Sequence, residues 1–280
     1  MLIKCWGSRG SLAVSGPEFL KYGGDTTCLE IRSKNDAVII VDAGTGIRRL
    51  GNLLVAEGRR EMDFIFTHAH WDHLMGFPFF KPLFNSNVKV RMQGCPFAKQ
   101  YVEHLISRVM APPNFPIRPS DIKAEIRYEP SCPTAIIIDS ITVTPIPMNH
   151  PNMGSGYRFT EDGKSFVFLT DNELDYHHPG GPAFDEFARF VEGTDLLIHD
   201  AEFTPEEYEA YTRGWGHSTY TRAVDLALAG NVGSLGLFHL NQDRTDDQQD
   251  RIVERAMELL RDRGSDIQCC AVARDQEFIL

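Results

Sequence analysis

The sequence predicts an α/β protein, and three observations carry that expectation. Runs that read as strands alternate with runs of helical periodicity along the chain. Four apolar runs end in a residue type that binds metals: Phe64-Ile65-Phe66 before His68, Phe166-Val167-Phe168-Leu169 before Asp171, Leu196-Leu197-Ile198 before His199-Asp200, and Leu237-Phe238 before His239. Buried strands that deliver reactive groups at their ends are what an α/β scaffold offers. The third observation is size: 280 residues, 42% apolar and 24% charged, suffice for one α/β core, and a single domain over 1–280 is expected. Periodicity alone leaves open two facing sheets with helices outside or one doubly wound sheet.

Taken in order, 2–6, 28–32 and 37–41 read as short strands, the last running apolar into Asp42-Ala43-Gly44-Thr45-Gly46. A helix is expected over 47–57, closed by Gly58. After the strand ending at Phe66, 77–84 is aromatic and broken by proline, 88–92 reads as a strand, and 97–110 has helical periodicity. Four prolines in 111–119 remove donors and fix φ, so this stretch reads as a shaped loop. Phe115 and Ile117 give it something to pack, which suggests a lid or substrate wall over the mouth of the site. Strands follow at 136–139, 141–146, 156–160 and 165–169, with the hairpin signal Glu161-Asp162-Gly163-Lys164 between the last two. Then come a strand at 196–198, a helix after Thr204-Pro205-Glu206, a helix over 218–229, a strand at 235–238 and a long helix over 246–263.

Composition narrows the function. No apolar run approaches the ~20 residues of a membrane span, and the start Met1-Leu2-Ile3-Lys4-Cys5-Trp6 is unlike a signal peptide, so a cytoplasmic location is expected. The six cysteines form no Cys-x-x-Cys pair, and adjacent Cys269 and Cys270 would face opposite sides of a strand; free thiols are expected. With 28 Lys and Arg against 39 Asp and Glu, the formal charge is −11. A protein that grips a long phosphate backbone carries a basic face, so a small anionic substrate fits better than long nucleic acid. A homo-oligomer is compatible with the sequence.

The densest chemistry is Thr67-His68-Ala69-His70-Trp71-Asp72-His73. If the chain leaves its strand extended, His68 and His70 share a side, and Asp72 and His73 come after a turn. The run then divides into two ligands for one cation and two for a neighbour, as in a two-metal hydrolytic site. Imidazole and carboxylate in this density suit Zn²⁺, Mn²⁺ or Fe²⁺.

The His-x-His-x-Asp-His run after an apolar strand resembles the signature of the metallo-β-lactamase superfamily. That resemblance implies an αββα sandwich of two mixed sheets with helices on the outer faces. It also implies further ligands in order: His150 in Pro147-Met148-Asn149-His150-Pro151, Asp171 in Leu169-Thr170-Asp171-Asn172-Glu173, and His239 in Leu237-Phe238-His239-Leu240. His68, His70, His150 and Asp171 would hold the first metal; Asp72, His73, Asp171 and His239 the second. Zn is the expected ion in both sites, with Mn or Fe also fitting. Asp42 reads as a carboxylate that holds the histidine loop from behind.

Gly216-His217-Ser218-Thr219, after His199-Asp200-Ala201-Glu202-Phe203-Thr204, resembles the paired motifs of the superfamily's phosphodiesterase branch, which includes ribonuclease Z and small cyclic-phosphate esterases. By itself a His before Ser-Thr reads as a helix start, with Ser218 or Thr219 as cap. The resemblance makes His217 the general acid that protonates the departing alkoxide, Asp200 its partner and Asp72 the third member of the catalytic set. Asp200 stands where ribonuclease Z has Glu. An alkoxide leaving phosphorus needs that proton more than a thiolate does. Ribonuclease Z also carries a tRNA-gripping arm between its third and fourth motifs, whereas here only 21 positions (171 − 150) separate His150 from Asp171. The expected function is hydrolysis of a small cyclic phosphodiester such as a 3′,5′-cyclic nucleotide, by a metal-bridging hydroxide with a His acid. The alternatives are a tRNA 3′ endonuclease, a thioesterase or lactonase of the same fold, and a metal- or nucleotide-binding sensor without turnover. Gly7-Ser8-Arg9-Gly10-Ser11 and Tyr22-Gly23-Gly24-Asp25-Thr26-Thr27 also resemble loops of bacterial cyclic-phosphodiesterase-like proteins, and such loops can place backbone donors near a phosphate.

Overall fold

A computed structural model describes residues 1–93, 104, 106–113, 115–129 and 134–280. Most of the helix expected over 97–110, together with Cys95 and Cys132, lies outside the described residues.

The strands are β1 (Leu2–Gly7), β2 (Cys28–Arg32), β3 (Val38–Val41), β4 (Glu61–Ile65), β5 (Lys89–Gln93), β6 (Glu125–Tyr128), β7 (Ile136–Ile138), β8 (Ile141–Pro147), β9 (Ser155–Glu161), β10 (Lys164–Leu169), β11 (Leu196–Asp200), β12 (Ser234–Phe238), β13 (Gln268–Ala271) and β14 (Glu277–Ile279). They form two seven-stranded mixed sheets, ordered β14-β1-β2-β3-β4-β5-β6 and β13-β12-β11-β10-β9-β8-β7. In the first, β3 through β6 run parallel and the rest antiparallel; in the second, β10 through β13 run parallel.

The apolar runs of β3, β10, β11 and β12 are continuous because these central parallel strands are covered on both faces. Along β3, Ile39 and Val41 point between the sheets while Val38 and Ile40 point outward; along β10, Phe166 and Phe168 point inward while Val167 and Leu169 point outward. Full burial of each such side chain contributes about 1.5–3 kcal/mol. The outer faces are closed by helices α1 (Ile47–Ala56) on the first sheet, and α3 (Phe184–Val191), α5 (Tyr220–Ala229) and α6 (Asp246–Asp262) on the second; α2 (Trp71–Leu74) and α4 (Pro205–Glu207) are single turns. The result is the αββα sandwich that the metal motif implies, not a doubly wound sheet.

Several elements depart from the sequence reading. Cys269 and Cys270 lie in the edge strand β13, as their reading on opposite sides of a strand expects, whereas the edge strands β6 and β14, of four and three residues, are additional, and β14 exists through its pairing with β1 across the whole chain. Helix α3 is two turns long and follows a Pro-Gly-Gly-Pro run, so its periodicity is short; Glu186 reaches back to the Ala183 N–H to cap it. The helix expected after Thr204 lasts one turn and continues as a π-type turn over Tyr208–Thr212. In the proline-rich loop, Phe115 and Ile117 pack against the outer core of the first sheet, with the Phe115 ring 5.4 Å from Phe79. Cys5, Cys28, Cys269 and Cys270 are free thiols. Among the described residues no helix is long and apolar enough to cross a membrane.

Candidate active site

The strand ends converge along one edge of the sandwich. After β4 the chain stays extended through His70 and turns into α2 at Trp71. His68 and His70 therefore leave the strand, whereas Asp72 and His73 leave a helix turn, which is the division that the spacing suggests. Three further site residues sit just past strand ends with positive φ: Asp42 (61°) after β3, Asp171 (52°) after β10 and His239 (57°) after β12. Such left-handed conformations cost roughly 1–3 kcal/mol each in non-glycine residues and cluster at functional sites; here they swing a side chain sideways off its strand.

Two groups of four result, His68, His70, His150 and Asp171, and Asp72, His73, Asp171 and His239, each with its candidate donor atoms within 4.8 Å of one another, and a group of three, Asp200, His217 and His239, adjoins the second. Asp171 is common to both. Its Oδ2 lies 3.5 Å from His68 Nε2, 3.9 Å from His150 Nε2 and 3.2 Å from His239 Nε2, and its Oδ1 lies 3.2 Å from His73 Nε2. Asp72 Oδ2 is 3.3 Å from His73 Nε2 and 3.2 Å from His239 Nε2. Asp42 sits behind: it accepts from the Thr67 N–H (2.8 Å) and hydroxyl (2.7 Å) and lies 2.8 Å from His73 Nδ1, which aims that ring's Nε2 at the cluster.

Burial and crowding among like rings push His68 well down, and burial pushes His150 down to about 3. Both are neutral imidazoles with a lone pair to offer. Burial opposes charge on His73 and His239 as well, but Asp171 and the other carboxylates outweigh it and drive both up. Against the burial penalty, His73 and His239 hold Asp72 well below the usual carboxylate range. Carboxylates packed against imidazoles in this way call for positive charge at their centre. The Nε2 atoms of His68 and His73 are buried and accept or donate no hydrogen bond. Orphaned ring nitrogens facing a shared carboxylate are the donor set that Zn²⁺, Mn²⁺ or Fe²⁺ requires, so the residues present fit two cations.

Beside this cluster stands His217. Its Nδ1 lies 2.7 Å from Asp200 Oδ2 and 3.4 Å from Glu202 Oε2, and its ring stacks on His239 at 4.5 Å. Burial disfavours the imidazolium, yet the Glu202 and Asp200 carboxylates push His217 up to about 9. Asp200 Oδ1 also accepts from the backbone N–H groups of Glu202 and Ser218, so the acid and its orienter are tied into one unit. Thr219, not Ser218, caps α5; the Ser218 hydroxyl instead bonds the Asn172 carbonyl.

Two functional carboxylates escaped the sequence reading. Glu202 lies 2.9 Å from His239 Nδ1 and accepts from the Asn241 amide, so it orients His239 as Asp42 orients His73. Its spacing of two from Asp200 was the available signal. Glu173 is fully buried and holds the segment before His217: it takes hydrogen bonds from the Tyr208 hydroxyl and the Gly214 and Gly216 N–H groups, and pairs with His178. Glycine is required at two close approaches. A Cβ on Gly10 would lie 2.2 Å from the His239 ring, and one on Gly216, whose φ is +98°, would lie 2.1 Å from His150 Nδ1. The first glycine-rich loop thus presses on His239, and its Ser11 N–H donates to Asp72 at 2.9 Å.

Residues 38–240, which contain both donor groups, His217 and the carboxylates that orient them, match the family model described as beta-lactamase superfamily domain. Ribonuclease Z of Sulfurisphaera tokodaii is 25% identical over 230 residues, covering 67% of this chain and 72% of that protein. The crystal structure of the metallo-beta-lactamase fold protein YhfI from Bacillus subtilis superposes with a TM-score of 0.72 at 17% identity, covering 99% of this chain and 98% of that one. A diphosphatase from the PhnP family superposes at 0.68, also at 17% identity, covering 100% and 97%. With the matched segment spanning the whole cluster, the chain belongs to the metallo-β-lactamase superfamily.

Proposed function

We propose that the chain is a two-metal phosphodiesterase acting on a small cyclic phosphodiester, with 3′,5′-cyclic nucleotides as the leading substrates. The observation that carries this reading is the His217–Asp200 contact of 2.7 Å beside the two donor groups. His68, His70, His150 and Asp171 would hold one cation, and Asp72, His73, Asp171 and His239 the other. When bound, such a pair lowers the pKa of water near neutrality and offsets negative charge at phosphorus.

The chain's own residues do the rest. Asp200 engages Nδ1 of His217, which leaves Nε2 to carry the transferable proton to the departing oxygen. The Glu202 and Asp200 carboxylates keep that proton on the ring against the burial penalty, and cations held in the adjacent cluster would oppose that rise. Asp42 and Glu202 fix the tautomers of His73 and His239, so their Nε2 atoms face the cluster.

A ribonuclease Z-like endonuclease is the second reading, favoured by the named relative. Against it, β9 and β10 form a plain hairpin in the interval where the resemblance places the tRNA arm. The purified chain loaded with Zn²⁺ or Mn²⁺ would be assayed in parallel on bis-p-nitrophenyl phosphate, cyclic AMP, cyclic GMP and pre-tRNA. Turnover of the first and of a cyclic nucleotide is expected. Cleavage of pre-tRNA alone would transfer the assignment to the second reading, and bound cations without any phosphodiester turnover would overturn both.

A further inference from the structure

A cavity of about 660 Å³ opens beside His217, within the ~300–1,000 Å³ typical of small-molecule sites. Its wall carries three aromatic rings in sequence. Tyr211 lies 6.1 Å from Trp215, Trp215 lies 6.5 Å from Phe203, and Phe203 lies 6.0 Å from His217, each pair edge to face. Phe203 is buried, but Trp215 is 57% exposed and Tyr211 61%. Leaving two touching aromatic faces in water forgoes stabilisation that folding would otherwise gain.

Their placement is not accidental to the backbone. Trp215 stands between Gly214 and Gly216, whose N–H groups are both held by the buried Glu173 carboxylate, and Tyr211 sits in the π-type turn that Tyr208 anchors to the same carboxylate. The fold therefore presents these rings on a fixed mount, two residues from the acid.

The polar groups of the cavity add a second constraint. Asn241, Gln242 and Ser11 line it beside the rings, and the Asn241 amide is held by Glu202. Among the described residues that line it there is no lysine or arginine, whereas Glu202, Glu207 and Asp243 are present. An additional phosphate entering here would meet carboxylates, while an uncharged group with a flat π-face would meet the exposed rings.

We infer that the cavity beside His217 is a nucleoside subsite: the base stacks on Trp215, with Tyr211 at its edge. This rests on the phosphodiesterase reading and narrows it to mononucleotide cyclic esters, because the departing oxygen protonated by His217 belongs to the ribose whose base fills the cavity.

The test compares the metal-loaded wild type with Trp215→Ala and Trp215→Phe on cyclic AMP and on ribose 3,5-cyclic phosphate, which lacks the base. Trp215→Ala is expected to raise KM for cyclic AMP roughly 5- to 100-fold, the scale of one stacked base, with kcat little changed. KM for the base-free ester should stay the same, and Trp215→Phe should restore most of the loss. Equal changes on both esters, or none on cyclic AMP, would overturn the subsite. If the wild type turned over no phosphodiester, calorimetry with adenosine 5′-monophosphate and ribose 5-phosphate would still decide. A preference for the former that Trp215→Ala abolishes supports the subsite even as the catalytic reading fails; equal affinities sink it.

Discussion

The two walls of the site are built differently. The inner wall comes off strand ends and the α2 turn beside them: His73, Asp171 and His239 are essentially inaccessible, and the His73 and His239 rings are each held from behind by a carboxylate. The outer wall, which runs from Tyr208 to His217, is a segment held by the buried Glu173 carboxylate, with the Gly216 carbonyl against His150 and His217 against Asp200 at its end, and it leaves Tyr211 and Trp215 in the open. Sheet hydrogen bonds determine the inner positions to within a rotamer, so the chemistry there tolerates little change. Such a segment can vary its exposed side chains without disturbing the sheets. On the proposed reading, catalysis and recognition are thereby separated, with His217 at the seam.

That contrast can be broken from either side. The largest effect should follow His68→Ala, on the inner wall: elemental analysis should find fewer cations per chain than the two expected of the wild type, with activity lost on every substrate. Retention of both cations with normal turnover would refute the donor assignment.

At the seam, His217→Ala should keep its cations and fold yet lose on the order of 10²- to 10⁴-fold in rate on a substrate with a poor alkoxide leaving group. On bis-p-nitrophenyl phosphate the loss should be much smaller, because p-nitrophenolate departs without a proton. Equal losses on both would make His217 a ligand or a structural residue.

On the outer wall, Glu173→Gln sets an amide NH₂ against N–H donors and costs about 1–3 kcal/mol of local order. The cations should stay. The rate on poor leaving groups should fall by roughly tenfold or more, as the mount of His217 loosens. Loss of metal in this variant would show that the walls are not separable.

The smallest effect is expected for Asp200→Asn, which should show the leaving-group dependence of His217→Ala more weakly. It also predicts a pH signature. Removing one of two carboxylates that raise His217 lowers the pKa of the acid, so the alkaline fall in kcat should begin at lower pH than in wild type. An unshifted profile would leave Asp200 a merely structural residue.

The inner wall was legible in the sequence because its residues are tethered to strong periodic signals. Apolar runs such as Phe166-Val167-Phe168-Leu169 announce strands buried on both faces, and a histidine or carboxylate placed just past the run has its location set by the strand. The division of His68 and His70 from Asp72 and His73 likewise follows from local chain geometry. Tertiary structure alone decided what lies behind and outside those groups. Nothing local distinguishes Glu173 from a solvated glutamate; its role arises because β10 delivers it, buried, against a segment some forty residues later. Glu202 was paired with His239 rather than with solvent only when β11 and β12 came side by side. The edge strands β6 and β14 carry too few residues for periodicity to register, and each forms because a neighbouring strand offers unpaired backbone groups. Local patterning thus determined which residues sit at the ends of buried strands, whereas long-range pairing decided which carboxylate orients which ring and which aromatic faces stay in water.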